Sequence, residues 1–174
     1  MKTLILGGVR SGKSRLAESL AQQSGLPVCY IATATVGDDD EMRRRIESHR
    51  TRRPVDWTVI EEPLALAAAL QKNSARDRCL VVDCLTLWLT NLLTASNASQ
   101  FTHEREALAQ TLPTLPGTII LVSNETGLGV MPLGELTRRF VDEAGYLHQT
   151  LAQACDRVVL TVAGLPIYLK GESP

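Results

Sequence analysis

The chain has 174 residues, 44% hydrophobic and only 4% aromatic, which suits a single domain over 1–174 with a sizeable core. A formal net charge of −1 gives no global pull toward nucleic acid or an acidic membrane, and the few aromatics argue against base-stacking platforms. No apolar run approaches membrane length, so no membrane insertion is expected.

The first apolar run, Thr3-Leu4-Ile5-Leu6, reads as a buried strand. It is too short for a signal peptide and leads into Arg10, Lys13 and Arg15. Gly7-Gly8-Val9-Arg10-Ser11-Gly12-Lys13-Ser14 then fits G-x-x-x-x-G-K-[ST], the phosphate-cradling P-loop. Leu16, Ala17, Leu20 and Ala21 follow at helical spacing, so the context is strand, glycine loop, helix. Glycines let the backbone turn and bring its N–H groups against phosphate oxygens. The helix start aims further N–H groups and its positive dipole end at the same anion. Lys13 can reach the β- and γ-phosphates, and the Ser14 hydroxyl can ligate Mg²⁺.

Gly25-Leu26-Pro27 ends the helix, and Val28-Cys29-Tyr30-Ile31-Ala32 reads as a second buried strand. Its end, Thr33-Ala34-Thr35, should open onto the P-loop rim if the two strands run parallel. From Asp38 to Pro54 acids crowd the beginning and arginines the end, the order a helix macrodipole favours. Met42, Ile46 and His49 share one face of that predicted helix. Arg45, Arg52 and Arg53 surround His49 at helical spacing, which is an odd address for a packing residue. A hydrogen-bonded histidine on a solvated basic face is the bland reading. The sharper one is a nucleophile toward phosphorus: the imidazole, with an ordinary pKa of about 6.5, is mostly neutral at pH 7, and the arginines would hold phosphates and stabilise developing charge.

Trp57-Thr58-Val59-Ile60 is predicted as a short strand delivering Glu61 and Glu62 at its end, either of which could instead be an N-terminal acid of the next helix. That helix is predicted over 64–71, with Pro63 in its first turn. Cys79-Leu80-Val81-Val82-Asp83 is an apolar strand ending in an acid, the Walker-B form. Asp83 there either serves the turn or holds Mg²⁺ opposite Ser14. Residues 85–93 form an apolar helix with surface enough to pack against another subunit; 95–100 read as a polar loop, and 102–111 as a further helix with His103 exposed.

Thr118 to Ser123 is a strand, and Asn124-Glu125-Thr126-Gly127-Leu128-Gly129 after it suits either a ligand-bordering loop or plain turns. It is not a dinucleotide fingerprint, because the third glycine is missing and Pro132 follows. The longest helical pattern runs over 133–154, with Gly145 weakening its middle and His148 read as structural. A last strand over 158–162 is turned by Gly164 and Pro166 into Ile167-Tyr168-Leu169-Lys170, too short a return for a crossover, hence an antiparallel edge hairpin. The tail 172–174 should be loose. Cys29, Cys79, Cys84 and Cys155 show no C-x-x-C or zinc spacing, which suits reduced thiols and a cytoplasmic location.

These pieces together resemble the bifunctional adenosylcobinamide kinase/adenosylcobinamide-phosphate guanylyltransferase family of cobalamin biosynthesis. The P-loop, Tyr30-Ile31-Ala32-Thr33-Ala34 and the stretch from Asp40 through His49-Arg50 to Arg53-Pro54 carry the likeness. Trp57 with Glu61-Glu62-Pro63, Val82-Asp83-Cys84-Leu85-Thr86 to Asn91-Leu92-Leu93, and Val122-Ser123-Asn124-Glu125 with Gly127 and Gly129 continue it.

The resemblance implies an α/β P-loop NTPase with a RecA-like, mostly parallel sheet and a homotrimeric assembly. It implies phosphorylation of adenosylcobinamide by ATP or GTP with Mg²⁺, then attack of His49 on the α-phosphorus of GTP and transfer of the GMP to adenosylcobinamide phosphate. Besides the P-loop, it implies that Ala32, Thr33, Ala34, Arg50, Thr51, Arg52, Arg53, Glu61 and Asp83 line the nucleotide. The N-K-x-D guanine motif of regulatory GTPases is absent, so base preference rests on likeness. A plain small-molecule kinase would share the P-loop and Asp83 without a nucleophilic histidine, and a regulatory nucleotide switch would hydrolyse slowly and retain product.

Overall fold

A computed structural model describes residues 1–35, 54–95 and 97–172. The helix predicted around His49 lies outside these residues, as do positions 173 and 174.

Seven strands make one sheet: β1 (Lys2–Gly7), β2 (Val28–Ala32), β3 (Thr58–Glu61), β4 (Cys79–Asp83), β5 (Thr118–Asn124), β6 (Arg157–Val162) and β7 (Leu165–Lys170). Their order is β3-β2-β4-β5-β1-β6-β7. Every neighbouring pair is parallel except β6 and β7, which form the expected antiparallel hairpin at the edge. The helices are α1 (Lys13–Gln23), α2 (Leu66–Asn73), α3 (Leu85–Thr94), α4 (Ala98–Thr111) and α5 (Glu135–Ala154), with a 3₁₀ turn at Leu112–Thr114.

The central strands are apolar nearly throughout because both faces are covered. Alternation sends Leu4, Leu6, Ile31, Leu80, Val82, Ile119 and Leu121 to one face, under α2, α3, α4 and α5. Ile5, Tyr30, Val81, Ile120 and Val122 go to the other, where Ala17 and Ala21 of α1 meet them. On α3, Leu85, Trp88, Leu89 and Leu92 are buried in the first cluster, so these four side chains pack within this chain. Trp88 is fully buried and its Nε1–H donates to the Leu64 carbonyl at 2.8 Å.

Three boundaries differ for identifiable reasons. Glu62 Oε1 accepts the N–H groups of Leu64 and Ala65, at 3.0 and 2.7 Å. That turn postpones α2 to Leu66, so Pro63 is not in its first turn. The polar loop predicted at 95–100 gives way to helix from Ala98, since Asn97 caps α4 by accepting the Ser99 N–H at 3.1 Å. Pro166 lies within β7 rather than in the turn, which Ala163 and Gly164 make with positive φ. An edge strand tolerates a proline because one side of it needs no N–H donor.

Trp88→Ala is expected to cost about 3–5 kcal/mol, from the cavity and the lost hydrogen bond to the Leu64 carbonyl. Urea denaturation should show a lowered midpoint with an unchanged slope.

Candidate functional site

Parallel strands bring their carboxyl ends to one rim. Across it, Glu61 pairs with Ala32 and Ala32 with Asp83, while Gly7 pairs with Asn124 on one side and Thr161 on the other. The strand carrying Asp83 is separated from the P-loop strand by β5 alone, which is the RecA-like arrangement. Ligands of such sheets sit beyond this rim.

The P-loop joins β1 to α1. Gly7 has no room for a side chain, since a Cβ would overlap Thr161 Oγ1, Ser11 Oγ and, at 2.8 Å, the Thr161 carbonyl. Gly12 takes φ 99° immediately before α1, a conformation that side chains resist. Arg10 also has positive φ, at 57°, and with Val9 is exposed at the top of the loop. Ser11 is turned inward: its hydroxyl lies 2.8 Å from that of Thr161, whose own O–H reaches the Leu6 carbonyl at 3.1 Å. The Gly164 N–H donates to the Ser11 carbonyl at 2.9 Å. Hairpin β6–β7 therefore braces the loop from the side, leaving its outer amides for an anion.

Lys13 donates to the Gly8 carbonyl at 3.1 Å and stands half-buried over the loop. Burial lowers its pKa, and the negative charge of Asp83 pulls the other way, so the two groups share one field although their strands are not neighbours. Asp83 accepts a hydrogen bond from the Tyr30 hydroxyl at 2.6 Å. Ser14 opens α1. A hydroxyl and a carboxylate are hard oxygen donors, and no cluster of three or more His, Cys, Asp or Glu gathers among the described residues. That donor set fits Mg²⁺, which keeps waters and phosphate oxygens and takes few protein ligands.

The Thr33 side chain is occupied within the protein, donating to the Cys84 carbonyl at 2.7 Å and accepting the Cys84 N–H at 3.0 Å. Asn91 donates to the Thr33 carbonyl at 2.8 Å and to that of Pro63 at 3.1 Å. Thr33 thus fastens the end of β2 to the residue after Asp83, with half-buried Ala32 and Ala34 on either side. Glu61 is exposed as the last residue of β3. His49, Arg50, Thr51, Arg52 and Arg53 lie outside the described residues.

Sequence reasoning missed the partners behind the loop. Tyr30 and Thr161 were read only as strand residues, although a polar tip in an otherwise apolar strand near the rim is a signal. His148 is buried on α5 beside Ala144, Leu147 and Leu151, as its helical spacing from them implies. Its Nε2 lies 2.8 Å from Ser123 Oγ, and its Nδ1 lies 3.7 Å from Glu125 Oε2. All four cysteines are buried and unpaired, and burial pushes the thiols of Cys79 and Cys84 up to about 11 and that of Cys155 up to about 12.

Residues 3–169 match the family model of cobinamide kinase / cobinamide phosphate guanyltransferase. The bifunctional adenosylcobalamin biosynthesis protein CobP of Pseudomonas aeruginosa is 66% identical over 172 residues, 99% of each chain. Its counterpart CobU of Salmonella typhimurium is 36% identical, covering 98% of this chain and 100% of that one. Among solved structures, a protein of Pyrococcus horikoshii OT3 superposes with TM-score 0.56 at 9% identity, over 99% of this chain and 87% of that one. The RadB recombinase follows at 0.50 and 17%, over 91% and 73%. Identities this low speak for the fold alone.

Gly7→Ala should weaken triphosphate binding by about tenfold or more, because the new methyl displaces Ser11 from Thr161; a steric shift of about 1.4 kcal/mol already gives that factor. Calorimetric titration measures it. A second expectation concerns pH. Burial lowers the His148 pKa in the folded protein, against the opposing pull of Glu125. The unfolded imidazole, near 6.5, therefore takes up its proton first as pH falls, and stability declines below about 6.5. Urea midpoints from pH 7.5 to 5.5 should show this decline in the wild type, and a shallower one in His148→Gln.

Proposed function

Because the chain belongs to the cobinamide kinase / cobinamide phosphate guanyltransferase family, we propose that it is a transferase with two successive reactions on adenosylcobinamide. It phosphorylates the substrate's aminopropanol hydroxyl from a nucleoside triphosphate. It then transfers GMP from GTP to the phosphate so made, giving adenosylcobinamide-GDP. The observation that carries this reading is the likeness spanning nearly the whole chain, in which the P-loop is only one of several matching segments.

The P-loop amides and Lys13 take the β- and γ-phosphates, and the start of α1 adds its dipole. Ser14 and Asp83 would hold Mg²⁺, which supplies charge neutralisation between the phosphates when bound. The Tyr30 hydroxyl keeps the Asp83 carboxylate oriented toward the rim. Ala32, Thr33, Ala34 and Glu61 form the neighbouring stretch of that rim, and Arg50, Thr51, Arg52 and Arg53 are assigned to the nucleotide by the resemblance.

In the second reaction His49 is the nucleophile. Its neutral imidazole bonds to the α-phosphorus of GTP as the bond to the bridging oxygen breaks, pyrophosphate leaves, and the cobinamide phosphate oxygen then displaces the histidine. The arginines around His49 in sequence supply positive charge as phosphorus changes partners. ATP as well as GTP for the first reaction, a homotrimeric assembly and a cytoplasmic location belong to the same proposal.

Incubation with α-labelled GTP followed by denaturation should leave acid-labile, alkali-stable label on the wild-type protein and none on His49→Asn. Label of equal amount on both would falsify the role of His49, and none on either would favour a plain kinase.

A further inference from the structure

Five polar groups behind the rim form a continuous chain. The Asn124 N–H donates to Thr86 Oγ1 at 2.7 Å. Thr86 Oγ1 in turn lies 3.4 Å from Ser123 Oγ. Ser123 sits 2.8 Å from His148 Nε2. Because an ionised carboxylate can only accept, Nε2 takes the Ser123 hydroxyl proton in its hydrogen bond and the imidazole proton stays on Nδ1, the nitrogen turned to Glu125. That nitrogen faces Glu125 Oε2 at 3.7 Å, while Oε1 accepts the Gly127 N–H at 2.6 Å.

Carboxylate, histidine and serine in this order resemble a hydrolase triad. Ser123, however, is 2% exposed and shared with Thr86, so substrate does not reach it. The open end of the chain is the carboxylate. Glu125 is anchored beside the phosphate loop, its N–H donating to the Gly7 carbonyl at 3.1 Å, and its side chain is 20% exposed at the rim. Burial keeps His148 neutral, so the ring offers a donor without adding a proton to its partner.

Two carboxylates of the rim, Asp83 and Glu125, thus keep different company. Asp83 has a phenol and the field of Lys13; Glu125 has a neutral imidazole and a backbone amide. The first arrangement suits a cation ligand and the second a proton acceptor.

We propose that Glu125 is the base of the phosphoryl transfer assigned above, on which this inference rests, and that His148 is the residue that positions it. As the substrate hydroxyl oxygen bonds to the γ-phosphorus, its proton passes to Glu125. The bond from phosphorus to the β,γ-bridging oxygen breaks, its electron pair leaves on the nucleoside diphosphate, and Glu125 later returns the proton to water.

The test uses the full chain, adenosylcobinamide and γ-labelled ATP or GTP. Glu125→Gln should lower kcat by about 100-fold or more while the nucleotide KM stays within about threefold. A second pair removes any doubt from folding. His148→Asn keeps an amide donor where Nδ1 stands, whereas His148→Gln keeps only a partner for Ser123. The asparagine variant should retain about tenfold more kcat than the glutamine variant, as expected for an orienting group. A merely structural histidine gives the reverse order, and that order overturns the proposal. Near-wild-type phosphorylation by Glu125→Gln overturns it alone, with the assigned reaction intact. A wild type that binds nucleotide but leaves adenosylcobinamide unphosphorylated overturns the assigned reaction, and this proposal with it.

Discussion

The hydroxyl of Thr161 is the contact on which the phosphate loop depends. A loop that offers its amides to an anion cannot use them to hold itself, because each amide turned outward is one fewer bond within the turn. Here the holding is done from behind: Thr161 meets Ser11 and the Leu6 carbonyl, and the turn of the edge hairpin takes the Ser11 carbonyl. Gly7 is the complement of that arrangement, a residue whose missing side chain lets the three groups close on one another. The edge hairpin, which looks peripheral in the strand order, is therefore part of the nucleotide site.

A similar economy runs along the rest of the rim. Thr33 seals β2 to β4 with its side chain, and Asn91 reaches from α3 to seal the same corner with the segment before α2. Tyr30 crosses from its strand to Asp83. Together these bonds tie the ends of β2 and β4 to each other and to α3, so the position of the Asp83 carboxylate is set by the packed elements and not by a loop. A hydrogen bond to a charged group is worth about 1.5–3 kcal/mol, enough to hold one carboxylate orientation against its alternatives.

How much of this was legible in the sequence follows from what each signal measures. Apolar runs of four to six residues marked the strands closely because a covered parallel sheet excludes polar side chains, and β2 and β4 fell where the runs did. Glycine spacing located the phosphate loop because only that spacing permits the turn. Boundaries failed where one side chain decided them: Glu62 delayed a helix and Asn97 advanced another, and neither effect has a periodicity to read. Partners in the site failed for a further reason. Ser11 and Thr161 are 150 residues apart, and Tyr30 and Asp83 are 53 apart, so only the strand order joins them.

The four sulfhydryls sit in different parts of the molecule: Cys29 in β2, Cys79 at the start of β4, Cys84 behind the rim and Cys155 at the end of α5. Held protonated and out of water, each reacts with an alkylating reagent only when its own neighbourhood opens. The chain thus carries four built-in clocks. Their separate rates would report whether the rim, the sheet interior and the final helix breathe together or apart.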